Sequence, residues 1–431
     1  MLTLAHRAML GAASRPKPPV QLHTLRSAGT ATDSATAVAV DGSGNRVIVG
    51  KTGSPQAGFV AKVDADGNLL WQRKLSLGEQ AIANAVAVDG SGNVYVAAQG
   101  IPSGSISACY TIKFNSSGTL QWQRKLSTSY SAYGHGVVLD GSGDVYVLAW
   151  LNDTKQTALL AKYSSGGTIQ WQRVVSHASQ SLQAARGLSI DSGGNLYFAV
   201  SHVITASSDT WGLVVKCSSS GVVQSRYASR IGASFNLTYG TTVDASGNMY
   251  VCGQSNTSGV PGTVRPYVCK LNSSGALQWH RWFSGDTALS ALSAVRLSDD
   301  ETHVYAAGTK YLFKFLASDG SLVWQRSLTG PASAAAAFGM MAPADGFLYT
   351  ASDLQSMPST GTDALSAKLP DDGSGLGTYG TVIVYSESTL TSNVGSPSTA
   401  TPTITDAAGS LTEAAGDMTD AAGTLTYTPY L

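Results

Sequence analysis

Asp89-Gly-Ser-Gly-Asn-Val-Tyr-Val96 is the stretch whose reading decides the fold. An Asp, a Gly-rich turn and an alternating apolar run have the form of a loop built to hold a ligand such as calcium. They also suit a tight hairpin, which needs residues that accept positive φ and Asp or Asn that bond their own backbone. Near-copies stand at Asp41-Gly-Ser-Gly-Asn45, Asp140-Gly-Ser-Gly-Asp144, Asp191-Ser-Gly-Gly-Asn195 and Asp244-Ala-Ser-Gly-Asn248. Five near-identical copies at one position of a repeat point to a geometric need. The turn reads as scaffold.

Working outward, each turn leads into a strand such as Val94–Ala97, a variable loop and a second strand ending in Lys. Those lysines are Lys62, Lys113, Lys162, Lys216, Lys270, Lys314 and Lys368. Another Gly turn precedes Leu/Ile-x-Trp-Gln-Arg, with Trp71, Trp122, Trp171, Trp279 and Trp324; Ser225 takes that place in the fourth unit. Units six (from Arg296) and seven (from Ala342) are degraded but in register. Four short alternating strands per unit, repeated seven times, predict an all-β, seven-bladed β-propeller with four-stranded blades. The last unit is expected to supply its own outer strand, Gly380–Glu387, so that no borrowed strand is needed; residues near Leu22–Leu25 are the alternative clasp. Alternation places Trp71, Arg73 and Leu75 on one strand face, which suits a blade-to-blade seam with guanidinium stacked on indole.

The repeat V-x-V-D-x-S-G-N-x-Y-V followed by A-K-x-N-x-S-G-x-L-x-W resembles the bacterial β-propeller repeat family, and more broadly NHL-like and quinoprotein-like propellers. The resemblance implies the fold and leaves the function open, because propellers host binders, enzymes and scaffolds.

The ends differ from the body, giving three parts: a basic arm (1–34), the propeller (35–386) and an acidic low-complexity tail (387–431). The arm holds Arg7, Arg15, Lys17 and Arg26 and no acid before residue 33, whereas beyond Leu369 there are acids and no Lys or Arg. In the tail, Asp406-Ala-Ala-Gly-Ser-Leu-Thr412 begins a seven-residue unit that recurs from Glu413 and from Asp420. Gly in each copy opposes a heptad coiled coil. Neither tail fits the blade pattern. Their opposite charge, with a thin line of Leu411, Met418 and Leu425, is expected to serve assembly of a homo-oligomer, a trimer favoured.

Formal net charge is zero, with 27 basic and 27 acidic residues. That argues against a general nucleic-acid or membrane-surface binder. No apolar run is long enough to span a bilayer, and His6 and Arg7 break the opening stretch as a signal-peptide core. Cys109, Cys217, Cys252 and Cys269 form no CxxC pair. A Cys252–Cys269 bridge within one unit is conceivable, and buried free thiols are the better reading.

Motifs for chemistry fail one by one. Gly50-Lys51-Thr52 imitates the end of a phosphate loop with wrong spacing, and there is no HExxH and no GxSxG. The seven His show no metal-ligand spacing, and Asp299-Asp300 and Asp371-Asp372 read as solvated turns. No metal, no cofactor and no enzymatic activity are therefore expected, although a propeller can assemble a site from distant channel residues. Two sets of binding candidates remain. Trp150, His202, Trp211 and Tyr267 are assigned to exposed variable loops, where aromatics anchor sugars or proteins. The residue five before each turn Asp, or its aligned position, begins an inner strand near the channel mouth: Thr36, Asn84, His135, Arg186, Tyr239, Ala294 and Phe338. Of these, His135, Arg186, Tyr239 and Phe338 are the candidate ligand rim.

The opening "MLTLAHRAMLGAA", the low-charge Gly/Ser/Thr-rich body and the ending "LTYTPYL" resemble tailed-bacteriophage virion proteins. That resemblance implies a non-enzymatic structural or adhesive part of a virion, such as a tail fibre or spike. Its partners would be other virion proteins and a host surface glycan or protein, with no nucleic acid and no membrane insertion. The alternative is a bacterial exported or cell-surface propeller that binds glycans or proteins. A third reading is a polysaccharide-degrading enzyme with its site in the channel.

Overall fold

In the computed structural model, each of the five repeated turns, at Asp41, Asp89, Asp140, Asp191 and Asp244, closes a hairpin between the first two strands of a blade. Asp89 N–H donates to the Asn93 carbonyl, and Gly92 N–H to the Asp89 carbonyl. Gly92 sits at φ 77°, a conformation costly for a side-chain-bearing residue. The Asp89 carboxylate accepts from the N–H of Ser91 and of Asn93 (2.9 Å each), from Asn93 Nδ2 (2.8 Å) and from the Tyr95 hydroxyl (3.0 Å). Burial would raise its pKa, but bonds from Asn93, Tyr95 and Ser91 outweigh that and hold it below the usual carboxylate value. The carboxylate is filled by its own turn. The repeated lysines serve the same corner: Lys62 pairs with Asp41 at 2.8 Å, and Lys162 with Asp144 at 2.9 Å.

The structure describes residues 21–26, 33–53, 56–101, 106–154, 156–176, 182–204, 209–229, 235–256, 264–284, 291–329, 337–355, 362–374, 376–379, 383–387, 391–394, 405–408, 412–415, 419–422 and 426–430. They form seven antiparallel sheets, each with four consecutive strands of a blade or their equivalent. Blades 1 to 6 occupy residues 34–76, 80–127, 132–176, 182–229, 236–284 and 294–329; blade 7 begins at 337. The first strand of each blade lies at the ring axis, where successive inner strands meet around one cavity. Among the described residues there is no helix. The core sits between blades. One cluster joins Val47, Val49, Val60 and Trp71 of blade 1 to Val94, Val96, Ile112 and Phe114 of blade 2.

The Trp-x-Arg seam is as the alternation requires. The Trp279 indole N–H donates to the Ala317 carbonyl of the next blade at 3.2 Å, and Arg281 lies 6.0 Å from the indole centroid. A Cβ placed on Gly320 of that blade would come within 2.6 Å of the Trp279 ring, so the indole requires glycine there. Trp71, Trp122, Trp171 and Trp324 repeat the bond. In blade 4, where Ser225 replaces Trp, Tyr227 takes over from the same face. Its hydroxyl donates to the Ser273 carbonyl at 3.0 Å, and its ring covers Gly275.

Two expectations about the ends are corrected. The fourth strand of blade 7 is Gln21–Arg26, paired with Thr362–Pro370. The chain start therefore closes the ring, as the Leu22–Leu25 alternative had it. The segment expected there, Ile383–Glu387, instead adds to the outer strand of blade 6. The C-terminal tail does fit the blades. Thr391–Val394, Thr405–Ala408, Thr412–Ala415, Thr419–Ala422 and Thr426–Tyr430 add as fifth strands to blades 5, 3, 2, 1 and 7. The register is constant: Thr405 faces Ser176, Thr412 faces Ser127 and Thr419 faces Ser76. Each seven-residue unit thus advances by one blade. An outer edge offers unpaired N–H and C=O groups that any extended backbone can meet, so side-chain patterning does not reveal the match. Residues 1–20 of the basic arm, and Leu411, Met418 and Leu425, lie outside the described residues.

All four cysteines are buried and free. Cys252 is opposite Val268 and Cys269 opposite Val251, so neighbouring positions of opposite parity send the two thiols to opposite sheet faces.

Candidate functional site

The inner strands carry a β-bulge where the rim residues were placed. Pairing skips Thr36, Asn84, His135 and Tyr239, each between two residues that pair with consecutive partners. A bulge leaves its extra residue out of the ladder and re-aims its side chain. Here the aim is toward the next blade. Thr36 Oγ1 donates to the Ala83 carbonyl, Asn84 Nδ2 to the Gly134 carbonyl at 2.9 Å, and His135 Nδ1 to the Ala185 carbonyl at 3.0 Å. Each acceptor immediately precedes the next rim residue, so neighbouring inner strands are laced together.

The lacing changes at blade 4. Arg186 lies 5.4 Å from the ring centroid of Tyr239 and, among the described residues, makes no hydrogen bond or ion pair. The guanidinium is exposed to channel water while protein surrounds it closely enough for burial to lower its pKa. His135, Arg186, Tyr239 and Arg296 line one cavity of about 690 Å³, together with Thr36, Asn84 and Ser293. No Asp or Glu is among its described lining residues.

Electrostatics set the protonation states. A carbonyl only accepts, so His135 Nδ1 carries the proton and Nε2 keeps the lone pair. Burial, then the charge of Arg186, pull the His135 pKa down to about 4, and the bond to Ala185 opposes this only partly. The imidazole is therefore neutral at pH 7. Burial raises the Tyr239 pKa against the pull of Arg186, so its phenol stays protonated. A neutral base, a phenol donor and an unpaired cation face one acid-free space.

Three rim candidates thus come together: His135, Arg186 and Tyr239. Phe338 does not hold the equivalent position. Pairing passes from Phe338–Ser352 to Met340–Ala351, so Gly339 is the bulged residue; the Phe338 side chain lies outside the described residues. In blade 6 the rim position is Ser293, not Ala294. There the turn runs from Ser298 to His303, one residue longer than from Asp41 to Asn45, and counting back from Asp299 lands one residue late. Sequence reading also missed Arg296, whose place is taken by Ala87 in blade 2 and Val138 in blade 3. An Arg inside an inner strand of small residues was its available signal.

The variable-loop candidates all lie on strands. Tyr267 is fully buried in Val264–Leu271, with its hydroxyl 3.1 Å from Thr238 Oγ1, and it anchors no exposed loop. Trp150 and Trp211 are half-buried against the core between blades 3 and 4. His202 pairs with Trp211 across neighbouring strands, and its side chain lies outside the described residues. Strand pairing extends further toward the loops than alternation indicated.

No protein-family model matches the chain, and no curated protein matches it. Solved structures do: 178 chains match it. One is the crystal structure of the polysaccharide lyase Uly1, at 10% sequence identity and a TM-score of 0.51, covering 79% of this chain and 90% of that one. At that identity the likeness shows the fold alone. It nonetheless overturns the expectation that this chain is no enzyme. That expectation took a repetitive propeller without linear motifs as a bare scaffold, and the same architecture over most of both chains is the body of a lyase.

Proposed function

We propose that the chain is a polysaccharide lyase acting on an acidic, uronate-bearing polymer, with its active site at the channel mouth on blades 3 to 5. One observation carries the reading: an unpaired Arg186 shares an acid-free cavity with the neutral imidazole of His135 and the protonated phenol of Tyr239. The solved lyase with this fold supports it. Elimination across a glycosidic bond needs an acidic C–H beside a carbonyl-type group, which a uronate carboxylate supplies. Arg186 holds that carboxylate and stabilises the charge that develops as the proton leaves. Binding the anion also offsets the field that depresses the His135 pKa, moving the base toward the working pH.

In the reaction, His135 Nε2 takes the proton from the carbon beside the carboxylate. The C–H electrons become the new C=C bond, and the C–O bond to the leaving sugar breaks. Tyr239 gives its proton to the departing oxygen, and water returns a proton from imidazolium to tyrosinate. The termini and composition that resemble tailed-phage virion proteins suit the same chemistry, in a particle-mounted enzyme cutting acidic host-surface polysaccharide. The test is incubation of the purified full chain with alginate, polygalacturonate, hyaluronan and chondroitin, following the ultraviolet absorbance of an unsaturated uronate. Wild type should generate it, and Arg186→Ala should generate it about 100-fold more slowly or worse. Absence of that product from every acidic polymer tried, including host surface polysaccharide, would refute the reading.

A further inference from the structure

On blade 3 an aromatic pair adjoins the channel cluster. Tyr133 and Trp150 face each other across neighbouring strands, stacked with centroids 5.3 Å apart at 24°. Tyr133 is in turn 6.4 Å from the ring of His135. In blades 1, 2 and 5 the corresponding cross-strand pairs are Ser34–Lys51, Ile82–Gln99 and Leu237–Gln254, so the scaffold there manages without aromatics. Trp150 packs against the core between blades 3 and 4. Tyr133 belongs to none of the apolar core clusters among the described residues and is half-exposed beside the cavity. One ring is braced by the core, and the second is propped on it beside His135, which lines the cavity.

We propose that Tyr133, propped by Trp150, is a stacking subsite for the sugar next to the one held by Arg186. This rests on the lyase reading above. A pyranose presents a face of C–H bonds that packs on an aromatic ring, while its hydroxyls stay in water. A polymer entering the acid-free cavity would cross this ring with the sugar that follows the uronate on the side away from the bond to be cut. Because stacking is present before and during reaction, it strengthens binding without assisting bond breaking.

The experiment uses the full chain with whichever of alginate, polygalacturonate, hyaluronan or chondroitin retards the wild type in affinity gel electrophoresis. Tyr133→Leu keeps apolar volume and removes the aromatic face; Trp150→Phe keeps a ring as a conservative control. Tyr133→Leu should weaken retardation about tenfold and raise KM for the polymer by a similar factor at unchanged kcat. A disaccharide substrate too short to reach Tyr133 should show no change in KM, and Trp150→Phe should retain most of the binding. Equal retardation and KM for wild type and Tyr133→Leu, with both folded, would overturn the subsite. A wild type that is retarded but forms no unsaturated product, while Tyr133→Leu is not retarded, would overturn the lyase reading and uphold the subsite. A wild type that no acidic polymer retards would overturn both.

Discussion

Arg186 stands over Tyr239, its guanidinium carbon 5.4 Å from the ring centroid, at the place where the preceding rim residues bond the next blade's carbonyl. The scaffold's own bond is given up there, and a cation is left facing the channel. Arg186→Ala should therefore leave the melting transition within about 0.5 kcal/mol of wild type. The same variant should lower kcat/KM on a uronate polymer about 100-fold or more. Thermal melts and unsaturated-product kinetics on one preparation check both halves; a large stability loss with activity retained would make Arg186 structural.

His135 gives a pH signature. Its pKa falls from 6.5 to about 4 on folding, so between those values the unfolded chain binds the proton and the folded chain does not. This contribution is complete above pH 6.5 and is lost as pH falls toward 4, by at most about 2 kcal/mol once channel water is allowed for. His135→Asn should keep the bond to Ala185, as Asn84 keeps its bond to Gly134. Between pH 6.5 and 4 the variant's stability should fall less than that of wild type, and its elimination activity should be lost. Parallel melting curves for both proteins across that range would contradict the assignment.

The seam predicts an asymmetry between blades. Trp279→Ala removes a buried indole and its bond to Ala317, and should cost about 3–5 kcal/mol. Restoring Trp at Ser225 should not stabilise blade 4, because Tyr227 already covers Gly275. Denaturant titrations of the two variants measure both effects.

Asp89 tests the turn. Asp89→Ala leaves the N–H groups of Ser91 and Asn93 without their acceptor and should cost about 1–2 kcal/mol. Since donors from its own turn surround the carboxylate, a chelator should leave the melting temperature unchanged. A fall of several degrees in EDTA would mean that a cation competes for that carboxylate.

Ring closure predicts the outcome of truncation. Removing residues 1–32 deletes the fourth strand of blade 7, the same strand on which Thr426–Tyr430 pairs. The truncated chain should melt well below the full-length protein, and residues 35–386 alone should be less stable again. Equal melting temperatures would show that Gln21–Arg26 does not carry the closure.

Much of this protein was determined within short windows of sequence. The Asp-Gly-Ser-Gly-Asn turn, the two-residue alternation and the Trp-x-Arg face are set by φ preferences and side-chain parity, which act over a few residues and recur in every unit. Hence blade number, strand count and the seam were legible, and counting back from the turn located His135, Arg186 and Tyr239. Only the tertiary structure decided the rest. Closure by Gln21–Arg26 and the fifth strands of the tail rest on backbone hydrogen bonds between residues hundreds apart, which almost any extended segment can form. The replacement of Trp by Tyr227, and the meeting of three rim residues with Arg296, depend on how successive blades rotate about one axis. That rotation is a property of the packed ring, written in no single repeat.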